Sequence, residues 1–321
     1  MTKLTTLAAA GLMAVISVGA GHAQEAEPAI RVTLLGTASP APRPDRSGSS
    51  TLVEAGGLRL VFDAGRGVPV RLSQKNIPVG AIDALFVTHF HSDHVSGIPD
   101  LWMTGYIPAP YGRRETPFRV IGPRGTGEMM QHIDAAFSID KTTRIEDEKI
   151  TPESVAMDVS EFTEEGVVFD QNGVTVTAFT VNHGELIEPS VGYRIAHDGH
   201  AVVISGDTKF DENLIESSKG ADVLSHEVAM ARPELATQPV QSRILGHHTL
   251  PAEAGEGFAR VAPRLAVYTH IVMLSTQDIP EPSIDDLVAE TRTTYDGPLE
   301  VGEDLMTISV GEKVTVERLA K

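Results

Sequence analysis

The order of apolar and polar positions predicts a chain in which strands dominate and helices lie between them. Runs of β-branched and apolar residues, or of alternating apolar and polar residues, are typical of strands. Such runs occur at 30–36, 50–54, 58–62, 84–88, 117–121, 174–181, 191–195, 201–205, 223–226 and 265–269. Helices are predicted at 66–74, 125–137, 251–261 and 283–291. The turns Gly56-Gly57 and Asp198-Gly199 predict two β-hairpins.

This pattern predicts a single domain over residues 24–321. No low-complexity linker divides the chain, and a length of 321 residues suits one large α/β domain. The expected architecture is two sheets placed between helices.

Residues 1–23 are expected to be a cleaved secretory signal peptide. Lys3 is the only charged side chain before an apolar run from Leu7 to Ala20, and small residues lead to a cleavage position after Ala23. The run is shorter than the about 20 apolar residues needed to span a bilayer. We therefore expect a periplasmic or secreted protein with no membrane partner.

Composition and net charge limit the metal ligands and the binding partners that are expected. The chain has no cysteine, so a metal must be bound by nitrogen and oxygen ligands. The formal net charge is -18, and nucleic-acid affinity comes largely from Lys and Arg on phosphates. On this basis we expect no nucleic-acid partner. The sequence leaves the oligomeric state open, and a homodimer is compatible with it.

The chemistry is concentrated where the strand at 84–88 ends. His89, His91, Asp93 and His94 fall within six residues. Because residues two apart on an extended segment point the same way, His89 and His91 can share one metal. Asp93 and His94 can then face a second. Imidazole and carboxylate ligands suit Zn²⁺, and also Mn²⁺ or Fe²⁺.

Three further candidate ligands each follow an apolar strand: His183, Asp207 and His270. His89, His91 and His183 would form one site, and Asp93, His94 and His270 the other. Asp207 would bridge them, with one carboxylate oxygen to each metal. The predicted cofactor is therefore two Zn²⁺ ions, which would make a bridging hydroxide available at neutral pH.

The motifs resemble the metallo-β-lactamase superfamily, whose metal motif is HxHxDH. The branch that contains ribonuclease Z and the arylsulfatases is more similar still. The resemblance rests on Leu34-Leu35-Gly36-Thr37, Phe62-Asp63-Ala64-Gly65, the metal motif from Thr88 to His94, Gly97-Ile98-Pro99, His183, Gly192-Tyr193-Arg194, Ser205-Gly206-Asp207-Thr208, Ser225-His226-Glu227 and Gly246-His247-His248-Thr249. It implies an α+β fold, a four-layer αββα sandwich with the metals at one edge between the sheets.

The resemblance also implies catalytic residues. His247 matches the loop histidine that protonates the leaving group, and Glu227 matches the carboxylate that orients it. The register is ambiguous by one, so His248 is an alternative. Asp93 is expected to act both as a ligand and in catalysis. Asp63 would support a ligand histidine from behind, and His226 is expected to be structural.

The expected reaction is hydrolysis of a small-molecule sulfate ester or phosphodiester by the metal-bridging hydroxide. Ribonuclease Z carries a basic arm between its third ligand motif and the SGDT motif, whereas only 23 residues separate His183 from Asp207 here. That difference argues against tRNA as substrate. A segment from Trp102 to Pro108 is expected to form part of a pocket wall, with a core position as the alternative for Trp102 alone. The alternatives are a lactonase of the same fold and, in another class, an exported zinc-binding protein without catalysis.

Overall fold

The computed structural model describes residue 2, residues 27–108 and residues 110–319. The predicted signal peptide therefore lies outside the described residues, apart from residue 2. Within the described ranges, no helix is both long enough and apolar enough to cross a membrane.

In the described part of the chain, fifteen strands, numbered in chain order, form two sheets. Their bounds are β1 Ile30–Gly36, β2 Ser50–Ala55, β3 Leu58–Phe62, β4 Ala84–Phe86, β5 Phe118–Pro123, β6 Met157–Phe162, β7 Gly166–Gln171, β8 Val174–Thr180, β9 Val191–His197, β10 His200–Ile204, β11 Val223–Ala231, β12 Leu265–Leu274, β13 Leu299–Val301, β14 Thr307–Val310 and β15 Val314–Glu317. The first sheet has the order β15-β14-β1-β2-β3-β4-β5-β6, and the second has the order β13-β12-β11-β10-β9-β8-β7.

Helices cover the outer faces of both sheets. Their bounds are α1 Val68–Gln74, α2 Ser92–Val95, α3 Ile98–Tyr106, α4 Thr126–Ala136, α5 Ser138–Asp147, α6 Pro152–Val155, α7 Glu212–Ser217, α8 Pro233–Ala236, α9 Pro239–Leu245, α10 Pro251–Val261 and α11 Ile284–Thr291. A short 3₁₀ turn lies at Val79–Ala81.

Three clusters of buried apolar residues in the described chain pack the sheets and helices against one another. The first fills the space between the sheets, where Phe62 and Phe86 stack with ring centroids 4.8 Å apart and Tyr193 packs against both. The second lies between the first sheet and α1, α3 and α4. The third lies between the second sheet and α7, α10 and α11. The result is the predicted αββα sandwich, because each sheet buries apolar residues on both faces.

Most predicted elements are present with small shifts of their ends. Both predicted hairpins form, with β2 antiparallel to β3 and β9 antiparallel to β10. Trp102 itself belongs to the core, the alternative that was expected for this residue. Trp102 lies in α3, is fully buried, and donates its indole N–H to the Val155 carbonyl at 3.2 Å.

Strand direction brings the candidate ligands to one edge. β3, β4 and β5 run parallel in the first sheet, and β10, β11 and β12 run parallel in the second. The carboxyl ends of parallel strands meet at the same edge, so the segments after β4 and β10 converge there. Glu227 and His270 lie within β11 and β12, beside an irregularity in the pairing of these strands at Glu227 and Val228.

Candidate metal centre

The structure brings the three imidazoles of the first candidate cluster together. The Nδ1 atom of His91 lies 3.0 Å from Nε2 of His89 and 3.2 Å from Nε2 of His183. His89 donates Nδ1–H to the Thr88 hydroxyl at 2.9 Å, and His183 donates Nδ1–H to the His247 carbonyl at 2.8 Å. With their protons on Nδ1, both Nε2 atoms direct lone pairs to one point, as a metal requires.

The second cluster joins Asp93, His94 and His270. The Oδ2 atom of Asp93 lies 3.0 Å from Nε2 of His270 and 3.7 Å from Nε2 of His94. All three side chains are buried. One potential ligand atom from each residue lies within 4.8 Å of the others, which suits a common ion.

Asp207 connects the two clusters through a single oxygen. Its Oδ2 atom is 3.8 and 3.7 Å from Nε2 of His89 and His183, and 3.4 and 3.3 Å from Nε2 of His94 and His270. The sequence interpretation assigned one carboxylate oxygen to each metal. The same oxygen instead faces both clusters.

These residues fit a pair of divalent ions. Nε2 of His94 and Oδ1 of Asp207 are buried and have no hydrogen-bond partner in the described part of the chain. Buried polar atoms are nearly always paired, because an unpaired one costs about 1–3 kcal/mol. An ion bound by the second cluster would give Nε2 of His94 a partner. The pKa of His89 is lowered by burial, and that of His183 falls to about 4 mainly for the same reason. Both imidazoles are therefore neutral at pH 7, the form that binds a metal.

Asp63 supports both clusters from behind. Its Oδ1 atom accepts the Thr88 backbone N–H, and its Oδ2 atom accepts the Thr88 hydroxyl, each at 2.8 Å. Oδ2 also accepts Nδ1–H of His94 at 2.7 Å. Asp63 and His270 both have left-handed backbones, with φ of 57° and 42°. Such conformations are uncommon outside glycine and concentrate at functional sites.

The carboxylate of Glu227 is next to His248 rather than His247. Its Oε2 atom accepts Nδ1–H of His248 at 3.2 Å, while its Oε1 atom accepts the backbone N–H of Thr249 at 2.9 Å. The His247 side chain has no such partner among the described residues. Its carbonyl accepts Nδ1–H of His183, and its ring lies edge-on to the His183 ring, with centroids 6.1 Å apart. This contact favours His248, the alternative that the sequence had left open, as the partner of Glu227.

The environment of His248 favours its charged form. Burial disfavours the imidazolium, but the Glu227 carboxylate outweighs it and raises the pKa of His248 to about 9. Burial lowers the pKa of His247, and neighbouring His248, Lys209 and Arg243 lower it further. A nitrogen of His248 lies within 4.8 Å of ligand atoms of Asp207 and His270. In the metal-free chain, the Glu227 carboxylate thus favours the imidazolium form of His248 next to the ligand clusters.

Sequence reasoning missed the part played by Thr88. This residue links Asp63 to His89 through its hydroxyl, and its position directly before the metal motif was the available signal. His226 is structural, as expected: it is buried, its ring packs edge-on against Phe258, and its Nδ1–H meets the Glu227 carbonyl.

The two-sheet sandwich and the paired His/Asp clusters define a metallo-β-lactamase-fold protein. The family model described as "Beta-lactamase superfamily domain" matches residues 58–271. The chain belongs to this superfamily. The fold implies divalent metal ions, and the chain is a metal-dependent hydrolase.

Among its relatives, "Ribonuclease Z" of Mycobacterium marinum is 34% identical over 286 residues, covering 88% of this chain and 99% of the relative. "Ribonuclease Z" of Mycolicibacterium gilvum is 35% identical over 285 residues, with 88% and 96% coverage. The fold is also similar to that of human tRNase Z, short form, with a TM-score of 0.65 and 22% identity over 88% of this chain and 99% of that one.

These relatives correct two predictions. The expected action on a small-molecule sulfate or phosphate ester, with a lactone as the alternative, is wrong, because the relatives are named as ribonucleases. The exclusion of nucleic acid is wrong for the same reason. The missing arm does not separate this chain from them: an alignment of 286 positions that covers 88% of 321 residues leaves no room for a long insertion in the relative.

Proposed function

We propose that the chain is a phosphodiesterase that cleaves RNA and uses two zinc ions. The observation that carries this proposal is the near full-length match to proteins named Ribonuclease Z, together with two ligand clusters that share Oδ2 of Asp207. A storage protein for zinc needs neither a shared carboxylate nor a charged histidine beside the metals.

His89, His91 and His183 would hold one ion, and Asp93, His94 and His270 the other, with Asp207 between them. Divalent ions in such a pair lower the pKa of water and stabilise charge on the attacking and leaving oxygens of a phosphodiester. Asp63 and Thr88 keep the ligand imidazoles in the required tautomers.

His248 would protonate the leaving oxygen of the substrate. Glu227 accepts the Nδ1 proton, which leaves Nε2–H as the proton to be given away. Glu227 is itself fixed by the N–H groups of Thr249 and Thr208, at 2.9 and 3.3 Å. Its position therefore does not depend on the substrate.

Positively charged side chains near the site suit the phosphates of RNA, although the chain as a whole has a negative net charge. Lys209 and Arg243 are close enough to His247 to lower its pKa. Lys209 follows two residues after Asp207, and its backbone N–H donates to the Asn182 carbonyl at 2.8 Å, beside His183. In the described ranges neither cation forms a salt bridge. Affinity for phosphates depends on such local cations and not on the total charge.

Export by the N-terminal signal peptide remains part of the proposal. If the leader acts as its sequence indicates, the RNA substrate is met outside the cytoplasm.

The test is cleavage of end-labelled RNA by the purified protein. A precursor tRNA with a 3′ extension and an unstructured RNA are incubated with enzyme that has been stripped by chelator and reloaded with zinc. We expect cleavage only after reloading, and its loss in His91→Ala. The matched control is His132→Ala, since His132 lies exposed on α4, outside the clusters. Turnover of bis(4-nitrophenyl) phosphate without any RNA cleavage would contradict RNA as substrate.

A further inference from the structure

A cavity of about 340 Å³ opens on the edge of the sandwich that carries the metal centre. It lies where β5, β6 and β8 end and β9 begins. Its walls combine an aromatic ring, small apolar groups and charged side chains, supplied by Arg124, Phe162, Glu164, Ala178, Pro189 and Ser190.

The cavity shares backbone contacts with the ligand segments. Ser190 donates its hydroxyl to the Asp207 carbonyl at 3.3 Å, and the Val191 N–H donates to the Thr88 carbonyl at 3.1 Å. Next to the lining residue Arg124, a Cβ at Gly125 would lie 3.2 Å from the ring of Phe90, which precedes His91. The cavity therefore adjoins the side of the centre formed by His89, His91 and His183.

Three side chains of the cavity, those of Phe162, Arg124 and Glu164, are available to contact a ligand. The Phe162 ring is only partly buried and packs edge-on against Tyr193, with centroids 6.4 Å apart. Arg124 and Glu164 are exposed, and within the described residues neither forms a salt bridge. By contrast, Glu165 is occupied, because its Oε1 atom accepts N–H groups from Thr180 and Asn213, each at 2.8 Å.

We propose that this cavity binds one nucleotide of the substrate, next to the phosphodiester held at the metal centre. Its base would pack on Phe162, an exocyclic amino group would donate to Glu164, and a phosphate would pair with Arg124. Stacking on an aromatic ring tolerates different bases, and a guanidinium suits a phosphate. The volume lies at the lower end for ligand pockets, which suits a single nucleotide. This inference rests on the proposed function, since it assigns a subsite to an RNA substrate.

The test is calorimetric titration of the zinc-loaded protein with adenosine 5′-monophosphate and with ribose 5-phosphate. Both ligands carry the phosphate, and only the first carries a base. We expect the nucleotide to bind at least about tenfold more tightly, the lower range for one stacked base. Phe162→Leu should remove most of that preference. Arg124→Gln should weaken both ligands, and Glu164→Gln should weaken the nucleotide alone.

Arg31→Gln is the matched control, because it removes one positive charge from β1, away from the cavity. It should leave both affinities unchanged. Arg124 and Glu164 are exposed, so their variants keep the test valid if Phe162→Leu does not fold. Equal affinity for the two ligands, or a preference unchanged by all three variants, would overturn the inference. A protein that prefers the nucleotide but cleaves no RNA would retain the cavity's role and refute the proposed function.

Discussion

Replacing Glu227 with Gln tests the charge pair with His248 in the metal-free protein. Gln has nearly the same shape and can still accept the N–H groups of Thr208 and Thr249. It cannot provide the negative charge next to Nδ1 of His248. The pKa of His248 is about 9 in the folded chain, against an ordinary value of 6.5. Each unit corresponds to about 1.4 kcal/mol, so the pair contributes up to roughly 3 kcal/mol.

The sign of the pH dependence follows from the raised pKa. The stabilisation is fully present below pH 6.5, where the unfolded histidine is also charged, and is lost as the pH rises through about 9. We expect the melting temperature of Glu227→Gln to fall by roughly 5–10 °C at pH 6. The difference from the parent protein should narrow toward pH 9.

The assay is thermal unfolding of chelator-treated protein, followed by circular dichroism from pH 6 to pH 9.5. Glu216→Gln is the control, because Glu216 forms an exposed pair with Lys219 and should contribute little. A loss of stability of the same size at every pH would refute the reasoning, since it would assign the effect of Glu227 to packing and backbone hydrogen bonds.

Three further predictions concern the site and the leader. His248→Ala should lower kcat on RNA by about 10²–10⁴-fold and affect nitrophenyl esters much less, whereas His247→Ala should stay near the parent rate; equal losses on both substrates would argue against a proton donor. Asp63→Ala should weaken zinc binding by about 10–100-fold in chelator competition, and unchanged affinity would count against its supporting role. Sequencing of the exported protein should begin at Gln24, and a form that keeps Met1 would exclude cleavage.

Much of the metal centre could be predicted because its ligands follow strands. The motif from His89 to His94 is local, and His183 and Asp207 each come directly after an apolar strand that the pattern identifies. His270 differs, because β12 continues past it to Leu274. Its left-handed backbone turns the side chain into the site without ending the strand.

Contacts distant in sequence could not be predicted in the same way. Whether Glu227 meets His247 or His248 depends on how the loop between α9 and α10 packs against β11, and the sequence leaves that ambiguous by one residue. The strands at 157–162 and 166–171 were missed because they lie near the edges of the sheets and are largely exposed. Their pattern is therefore not apolar enough to identify.

The prediction that the chain has no nucleic-acid partner was wrong because it used the net charge of the whole chain. A net charge averages over the whole surface, whereas binding depends on the field at the site. Acidic residues elsewhere on the chain outweigh Lys209, Arg243 and Arg124 in the sum. Lys209 and Arg243 nevertheless lie near His247, beside the candidate metal centre.

The most direct test of the account is a zinc titration of chelator-stripped protein, in which bound zinc and RNA cleavage are measured on the same samples. If two ions are required, cleavage rises until two zinc ions are bound per chain and then stays constant. The variant Asp207→Ala should neither bind two zinc ions nor cleave. Full occupancy by two zinc ions without cleavage of RNA, or full cleavage with one ion bound, would contradict it.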